Sequence, residues 1–538
     1  MWDNGSNMDL LSRKSGSIFN KDHDSPYRKL KVRGIVGRPI SYIVIIVLVL
    51  GVALTLLNIY ELNKMREDYA AHIQAPVVEA KEGKYGTKQH IVWVEGKNKH
   101  TGYLKHVFDV FDRIGYAAGD GESDWDVLWS HEYPFEILSK KISNIKPHQR
   151  INHFPGSGYI TNKVYLATTN SSFIPMAFKI PSEKKKFLDY TQKHPDKMWV
   201  QKKNTHRGIQ IKKTTELDLE NEGSFVQLYV DNPFLIDDRK FDIGIYAIIT
   251  SIDPLRVYIV DDEALFRFCS RNYYPFDPAD TKKYVVDDDY TPMWQMPSLL
   301  KYFTDMEYSF KESFNMYLRS KGLNYEKVWD DVRSTVATVA IQKEEKFIQT
   351  LQKYKNSRNF FEMMRFDVVL DENLNVYLME VNMSPNLSSA HFPPNARLYE
   401  HVIFNLLSLV GVARSVTNSF ENSSEDERAM VSSNKDITVF SDWCSSPQCV
   451  SNCKPQLCQL CHPCLTLELK KILKAAFQEH RDKRGCRRVF PSLNMTQNEA
   501  REWKPDKADE TFSKLNAKNK VMYMWFVGKC QQDQGWCI

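Results

Sequence analysis

The central region of this chain, residues 88–412, is predicted to have an α/β fold, and three observations predict it. First, IVWV (91–94) and WDVLWS (125–130) are strand-like runs, and between them Tyr103, Leu104, Val107, Phe108 and Phe111 recur at helical spacing. Second, residues 199–270 are dense in apolar runs, namely FVQLYV (225–230), KFDIGIYAIITS (240–251) and LRVYIV (255–260), which read as a block of strands. Third, residues 310–360 read as helices and are followed by two short runs, FDVVL (366–370) and VYLMEVN (376–382), which read as a hairpin. Val402, Leu406 and Leu409 mark a closing helix, and no internal repeat is found.

The flanking segments have other characters. Residues 40–59, ISYIVIIVLVLGVALTLLNI, carry no charge over 20 residues, the length that spans a bilayer. No small-residue cleavage site stands out, so residues 40–60 are expected to form an uncleaved transmembrane signal anchor. Arg28, Lys29, Lys31, Arg33 and Arg38 precede it, against Lys64 and Arg66 after it. This bias places the N-terminus in the cytoplasm and predicts a single-pass type II membrane protein, the remainder lumenal (ER or Golgi) or extracellular. Residues 1–39 are polar and expected to be disordered, 61–87 form a charged stalk, and 413–440 form a linker poor in apolar residues. The net charge of +5 is too weak to argue for nucleic acid, and no nucleic-acid motif is present.

Residues 441–538 form a cysteine-rich domain. Nine of the ten cysteines lie there: Cys444, Cys449, Cys453, Cys458, Cys461, Cys464, Cys486, Cys530 and Cys537. A disulfide framework is the expectation in an oxidising compartment. Zinc is the rival, since Cys458, Cys461, Cys464 and His462 have suitable spacing. An odd count leaves one thiol over, to pair with Cys269 or with another chain. Four sequons, at Asn170, Asn386, Asn422 and Asn494, lie on the expected lumenal side and predict a glycoprotein.

The chemistry is concentrated in YLMEVNMSPN (377–386). Alternate side chains of a strand share a face, so Glu380 and Asn382 point the same way. A four-residue loop, 372–375, would pair Asp371 with Val376 and set Asp367 opposite Glu380. Two carboxylates and an amide oxygen then converge as a hard cation such as Mg²⁺ requires. The bland alternative is that Asp367 caps a turn and Glu380 pairs with an arginine elsewhere.

The wider blocks favour the metal reading. FEMMRFDVVLDENLNVYLMEVNMSPNLSSA (361–390) and KFDIGIYAIITSIDPLRVYIVDDEALFRF (240–268) resemble the tubulin–tyrosine ligase-like family. INHFPGSGYITNK (151–163), WVQKKNTHRGIQI (199–211) and FVQLYVDNPFLI (225–236) match it in the same order. The resemblance covers residues 90–412 and is to the polyglutamylase branch. It implies an ATP-grasp fold and an ATP-dependent ligase joining an amino acid, here glutamate, to tubulin or another acidic protein tail. It implies ATP and Mg²⁺ as cofactors, with Asp367, Glu380 and Asn382 holding Mg²⁺ that bridges the phosphates. Lys163 and Lys202 would reach the phosphates, and Lys163 and Arg267 would be the catalytic residues. Arg207 and Gly208 would form a loop over the phosphates, with one glycine where the family usually has two. Gln227, Leu228, Tyr229 and Val230 would form the hinge beside adenine, and Lys240 and Asp242 fit the family's KFD. The implied reaction activates a substrate carboxylate as an acyl phosphate, which the amine of the incoming amino acid then attacks.

Two departures stand against this. Gly244 occupies the position of an expected arginine, and losing a preorganised donor of that kind costs about 10²–10³ in rate. DDDYTPMWQ (287–295) also differs from the family's usual segment. Two alternatives therefore stand beside an active tubulin ligase: a degenerate nucleotide-binding module acting as a membrane-bound interaction protein, and a ligase for a lumenal or extracellular acceptor.

Overall fold

The computed structural model describes residues 48–61, 64, 89–203, 209–355, 357–413, 432–450, 452–508 and 510–538. The chain divides into two units, residues 1–86 and 87–538. In the first, residues 48–61 are helical with every side chain exposed. Residues 1–39, the first eight residues of the expected anchor (40–47) and nearly all of the stalk lie outside the described residues. Among the described residues no helix is long and apolar enough to cross a membrane.

The second unit is mixed α/β, with three sheets among the described residues. The first is parallel, in the order β2–β1–β3–β4, from β1 (Ile91–Glu95), β2 (Ala117–Gly119), β3 (Val127–Ser130) and β4 (Arg150–Ile151). Helix α1 (Lys105–Arg113) connects β1 to β2 and buries Val107 and Phe111 of the predicted stripe together with Val110, which the stripe did not include, while Phe108 is half-buried. The second sheet is antiparallel, in the order β5–β8–β6–β7, from β5 (Ala177–Ile180), β6 (Trp199–Lys203), β7 (Gln210–Lys212) and β8 (Ser224–Leu228). A short helix, α2 (Lys163–Ala167), precedes β5, and Asn162 caps it by accepting from the N–H groups of Val164 and Tyr165.

The third sheet is the largest and runs through the core. Its axis is β9 (Phe241–Ile252), which is largely apolar and mostly buried. One edge of β9 pairs with β11 (Leu265–Phe268) over its first residues and with β10 (Leu255–Val260) further on. The other edge pairs with β13 (Glu362–Leu370), which carries β14 (Val376–Asn382) beyond it. Strand β12 (Thr291–Pro292), from the divergent DDDYTPMWQ segment, adds to β11. The helices predicted over 310–360 are α3 (Phe310–Ser320) and α4 (Tyr325–Leu351), and the closing helix is α5 (Asn395–Leu409).

The C-terminal region is built into this unit. Strand β15 (Cys486–Phe490) pairs with β10 and completes the central sheet. Helix α6 (Leu467–Arg481) brings Glu479 to Arg256 of β10 as a buried, two-pronged ion pair: Nε to Oε2 and Nη2 to Oε1, each at 2.8 Å. Tyr258 and Thr250 donate to the same carboxylate. A second apolar core gathers around α7 (Ala517–Gln532), with Trp525, Phe526, Ile437 and Val439 wholly buried. Residues 432–440, expected as the end of the linker, are thus packed, because Ile437 and Val439 supply two apolar anchors. Residues 414–431, with Asn422, lie outside the described residues.

The cysteines form disulfides: Cys444–Cys461, Cys449–Cys458, Cys453–Cys464 and Cys530–Cys537. The thiolates that zinc would need at 458, 461 and 464 are therefore spent. The leftover thiol does not pair with Cys269. It is Cys486, held free and buried at the start of β15, while Cys269 is also free and buried.

Candidate active site

The candidate site is assembled on one face of the central sheet. Directly opposed residues in an antiparallel pair share a face. The registers Arg267↔Asp242, Gly244↔Asp367, Asp367↔Glu380, Tyr246↔Arg365 and Arg365↔Asn382 therefore gather charged side chains from four strands. Asp367 does lie opposite Glu380, but by a different route from the predicted one. Strand pairing ends at Leu370↔Val376, one residue short of the expected Asp371↔Val376, and a bulge between Asp367 and Val368 restores the alignment. Asp371 instead folds the turn, accepting from the N–H groups of Asn373 and Asn375.

The three expected metal ligands converge. Asn382 Nδ2 lies 2.9 Å from Asp367 Oδ2 and 3.2 Å from Glu380 Oε1. Glu380 is tolerated in the apolar run because Lys163 Nζ, at the start of α2, sits 2.8 Å from its Oε2. Burial by itself would raise the Glu380 carboxyl, yet the Lys163 ammonium brings it down to about 2. Its partner is thus a lysine of the site and not a distant arginine.

Asp367 is 2% exposed and fully engaged. Arg365 grips it in a fork, Nε to Oδ1 at 2.6 Å and Nη2 to Oδ2 at 2.9 Å. Arg267 Nη2 donates to Asp367 Oδ2 at 2.9 Å, and the same arginine grips Asp242 with two bonds of 2.8 Å. Burial pushes the Asp242 carboxyl up to about 6, against the pull of Arg267. The sequence reading did not single out Arg365. Its signal was present: a residue two places before Asp367 on a strand shares its face.

The donor set fits a hard divalent cation. Two carboxylates stand beside an amide, and a half-turn of the Asn382 amide would present its oxygen in place of its nitrogen. Asp242, Asp367 and Glu380 face Arg267, Arg365 and Lys163, so the cluster is close to neutral. A bare cation gains little in such a field, whereas a cation accompanied by phosphate oxygens adds both signs at once. A second cluster that could hold a metal, His106, Asp109 and Glu400, is already drawn into contacts: His106 with Glu400 and Ser389, Glu400 with Arg113, and Asp109 with Lys105.

The second sheet supplies the other groups. Lys202 on β6 donates to Gln227 Oε1 on β8 at 3.1 Å, and burial lowers its ammonium to about 8 despite nearby Glu380. Gln227 is buried and also donates to the Pro175 carbonyl. In the expected hinge, the N–H of Leu228 donates to Met176 O and that of Tyr229 to Met198 O. Neither is open to a base. Leu228, Tyr229 and Val230 border a cleft of about 620 Å³, with Asn170, Ser171 and Tyr377, while Asp367 and Glu380 are not among its walls. Lys240 is buried and donates to the Tyr284 carbonyl, so it does not join Asp242 in the cluster. Arg207 and Gly208 lie outside the described residues.

The chain is similar to known proteins. Residues 140–421 match the Tubulin-tyrosine ligase family. A probable tubulin polyglutamylase, ttll-15 of Caenorhabditis elegans, is 40% identical over 468 residues, covering 84% of this chain and 88% of that protein. The human tubulin monoglutamylase TTLL4 is 30% identical over 320 residues, 56% of this chain and 26% of that protein. The human tubulin polyglutamylase TTLL6 is 26% identical over 303 residues, 52% of this chain and 33% of that protein. With that match taking in Lys163, Asp242, Arg267, Asp367, Glu380 and Asn382, the chain belongs to the tubulin–tyrosine ligase family.

Proposed function

We propose that this chain is an ATP-dependent ligase of ATP-grasp architecture that joins glutamate to an acidic protein tail through an amide bond, with tubulin the default acceptor. The observation that carries the reading is the convergence of Asp367, Glu380 and Asn382 on one sheet face, with Lys163 bonded to that cluster and Lys202 close by on the second sheet. The relatives' names, tubulin polyglutamylase and monoglutamylase, support glutamate and tubulin.

In this reading Asp367, Glu380 and Asn382 would hold Mg²⁺, which would supply neutralisation of the charge on the transferring phosphoryl group. Lys163 and Lys202 bind phosphate oxygens, and Arg207 and Gly208 close over them. With the Leu228 and Tyr229 N–H groups engaged, Val230 is the hinge residue left to offer a donor to adenine. Arg267 keeps Asp242 and Asp367 fixed and presents its guanidinium beside the reacting phosphate. A substrate carboxylate attacks the γ-phosphorus and ADP leaves. The amine of the second substrate then attacks the acyl carbon, phosphate leaves, and the amine proton passes to solvent. The protein's part is to position the groups and balance their charge.

We read residues 40–60 as an uncleaved anchor with the ligase domain on the lumenal or extracellular side. The charge bias around residues 40–59 supports this, as do the four disulfides, which persist where thiols are oxidised. The same disulfides favour a second reading of the acceptor, a lumenal protein with a glutamate-rich tail. The full chain, incubated with ATP, Mg²⁺, labelled glutamate and tubulin, is expected to release ADP and label tubulin. In cells, an endoglycosidase-sensitive mass shift lost in Asn422→Gln/Asn494→Gln is expected. Label on tubulin without a glycan would place the domain in the cytosol. A glycan without label on tubulin would favour the lumenal acceptor. ATP binding with no transfer to any acidic tail would sink the ligase reading.

Lys202 gives the site a pH signature. Its amine is half deprotonated near pH 8 in the free protein, and phosphate oxygens favour the charged form. ATP binding above about pH 8 should therefore take up a proton and weaken as pH rises. Calorimetry in buffers of different ionisation enthalpy reads this uptake. An uptake unchanged in Lys202→Met would assign it to another group.

A further inference from the structure

We propose that Gly244 and Arg365 act as one unit: the side chain missing from β9 makes room for Arg365 of β13, and Arg365 is the positioning residue for Asp367. The inference rests on the ligase reading for its catalytic consequence, while the coupling of the two positions stands on geometry.

Gly244 has no backbone reason to be glycine. It lies in an extended strand and is absent from the positive-φ residues, and glycine is disfavoured within strands. What it does is leave space. A Cβ built there would meet Arg365 Cδ at 2.8 Å, Nε at 3.2 Å and Cγ at 3.3 Å. The stem of Arg365 thus runs across the face of residue 244, which itself stands directly opposite Asp367. An arginine at 244 and one at 365 would compete for the same volume, and either would arrive beside Asp367.

The guanidinium is needed there on charge grounds. Among the described residues Arg267 is the other arginine bonded to this cluster, and two of its three bonds go to Asp242. Without Arg365, buried Asp367 would share one Arg267 nitrogen and keep the Asn382 amide. The fork from Arg365 fixes the carboxylate plane with two parallel bonds, a geometry that lysine cannot reproduce. The absence of an arginine at 244 is therefore matched by one from the adjacent strand, which argues against reading Gly244 as the mark of a degenerate site.

The test uses the full chain with Arg365→Gly, Gly244→Ala, Arg365→Lys and the exchange Arg365→Gly/Gly244→Arg. The readouts are Mg²⁺-dependent ATP affinity by calorimetry, kcat and KM for glutamate transfer, and thermal melting. Arg365→Gly is expected to lower kcat by about 10²–10³. It should also weaken Mg²⁺-dependent ATP binding by about tenfold, with the glutamate KM little changed. Gly244→Ala, which removes no charge, is expected to weaken ATP binding in the same direction by displacing Arg365. The exchange is expected to recover at least about tenfold of the lost kcat and most of the affinity. An exchange no better than Arg365→Gly would overturn the proposal, as would Arg365→Gly within about threefold of wild type in both readouts. A purely structural role would lower the melting temperature of Arg365→Gly without separating kcat from KM. If that variant does not fold, Gly244→Ala and Arg365→Lys decide, and unchanged ATP affinity in both would overturn it. A wild type that transfers no glutamate defeats the ligase reading alone, because the ATP affinities of the exchange series still report the coupling.

Discussion

Glu380→Gln is expected to abolish Mg²⁺-dependent ATP binding and, with it, transfer activity, by about 10³ or more in kcat/KM. The side chain keeps its shape, so the change isolates charge. Glu380 is held ionised by Lys163 at 2.8 Å, with its carboxyl at about 2, so at neutral pH the variant removes a full negative charge from the middle of the site. An amide nitrogen would then face either the Lys163 ammonium or the Asn382 NH₂, both of them donors, and the cluster would lose an anionic ligand. Its side chain is 30% exposed, so solvent can relieve part of the mismatch and the fold should survive. Calorimetry with and without Mg²⁺, beside a melting curve, checks this. Equal Mg²⁺-dependent ATP affinity in wild type and variant would remove Glu380 from the metal site.

Glu479→Ala is expected to destabilise the fold strongly, by roughly 3–5 kcal/mol. The carboxylate accepts both prongs of Arg256 and bonds from Tyr258 and Thr250, and both charged residues are under 10% exposed. Removing it strands a buried guanidinium and leaves two hydroxyls without their acceptor. It also loosens α6 from β10, the strand that receives β15. The measurements are melting temperature and limited proteolysis, with early release of a fragment beginning near residue 432 as the expected pattern. A variant that melts like wild type, or that loses stability without exposing the C-terminal region, would show that the ion pair does not fasten it. Replacing both residues with apolar ones of similar volume should cost far less than either single change, because no charge is left uncompensated.

Much of the fold was legible. LRVYIV and VYLMEVN became strands over exactly those residues, and the predicted helix with Val402, Leu406 and Leu409 formed as α5. Each is dominated by apolar residues, with Arg256, Glu380 and Asn382 the charged or amide exceptions in the strands, and such a run favours one kind of element. Strand Leu265–Phe268 was harder to place. Four residues carry too little periodicity, and the β9 edge beside them supplies the reason to extend.

In the site, sequence alone determined which residues share a face. Glu380 with Asn382, and Asp367 with whatever stood two places away, follow from the period of a strand, and that period is covalent geometry. Tertiary structure decided what these side chains meet. The bulge that sets Asp367 opposite Glu380, the arrival of Lys163 from α2 and the passage of Arg365 over Gly244 all depend on contacts between segments distant in the chain. The same holds for Leu228 and Tyr229, whose N–H groups are claimed by Met176 and Met198. A vacancy at one residue acquires meaning only when a neighbouring strand fills it, because the competition is for volume, and volume is shared only once the chain has folded.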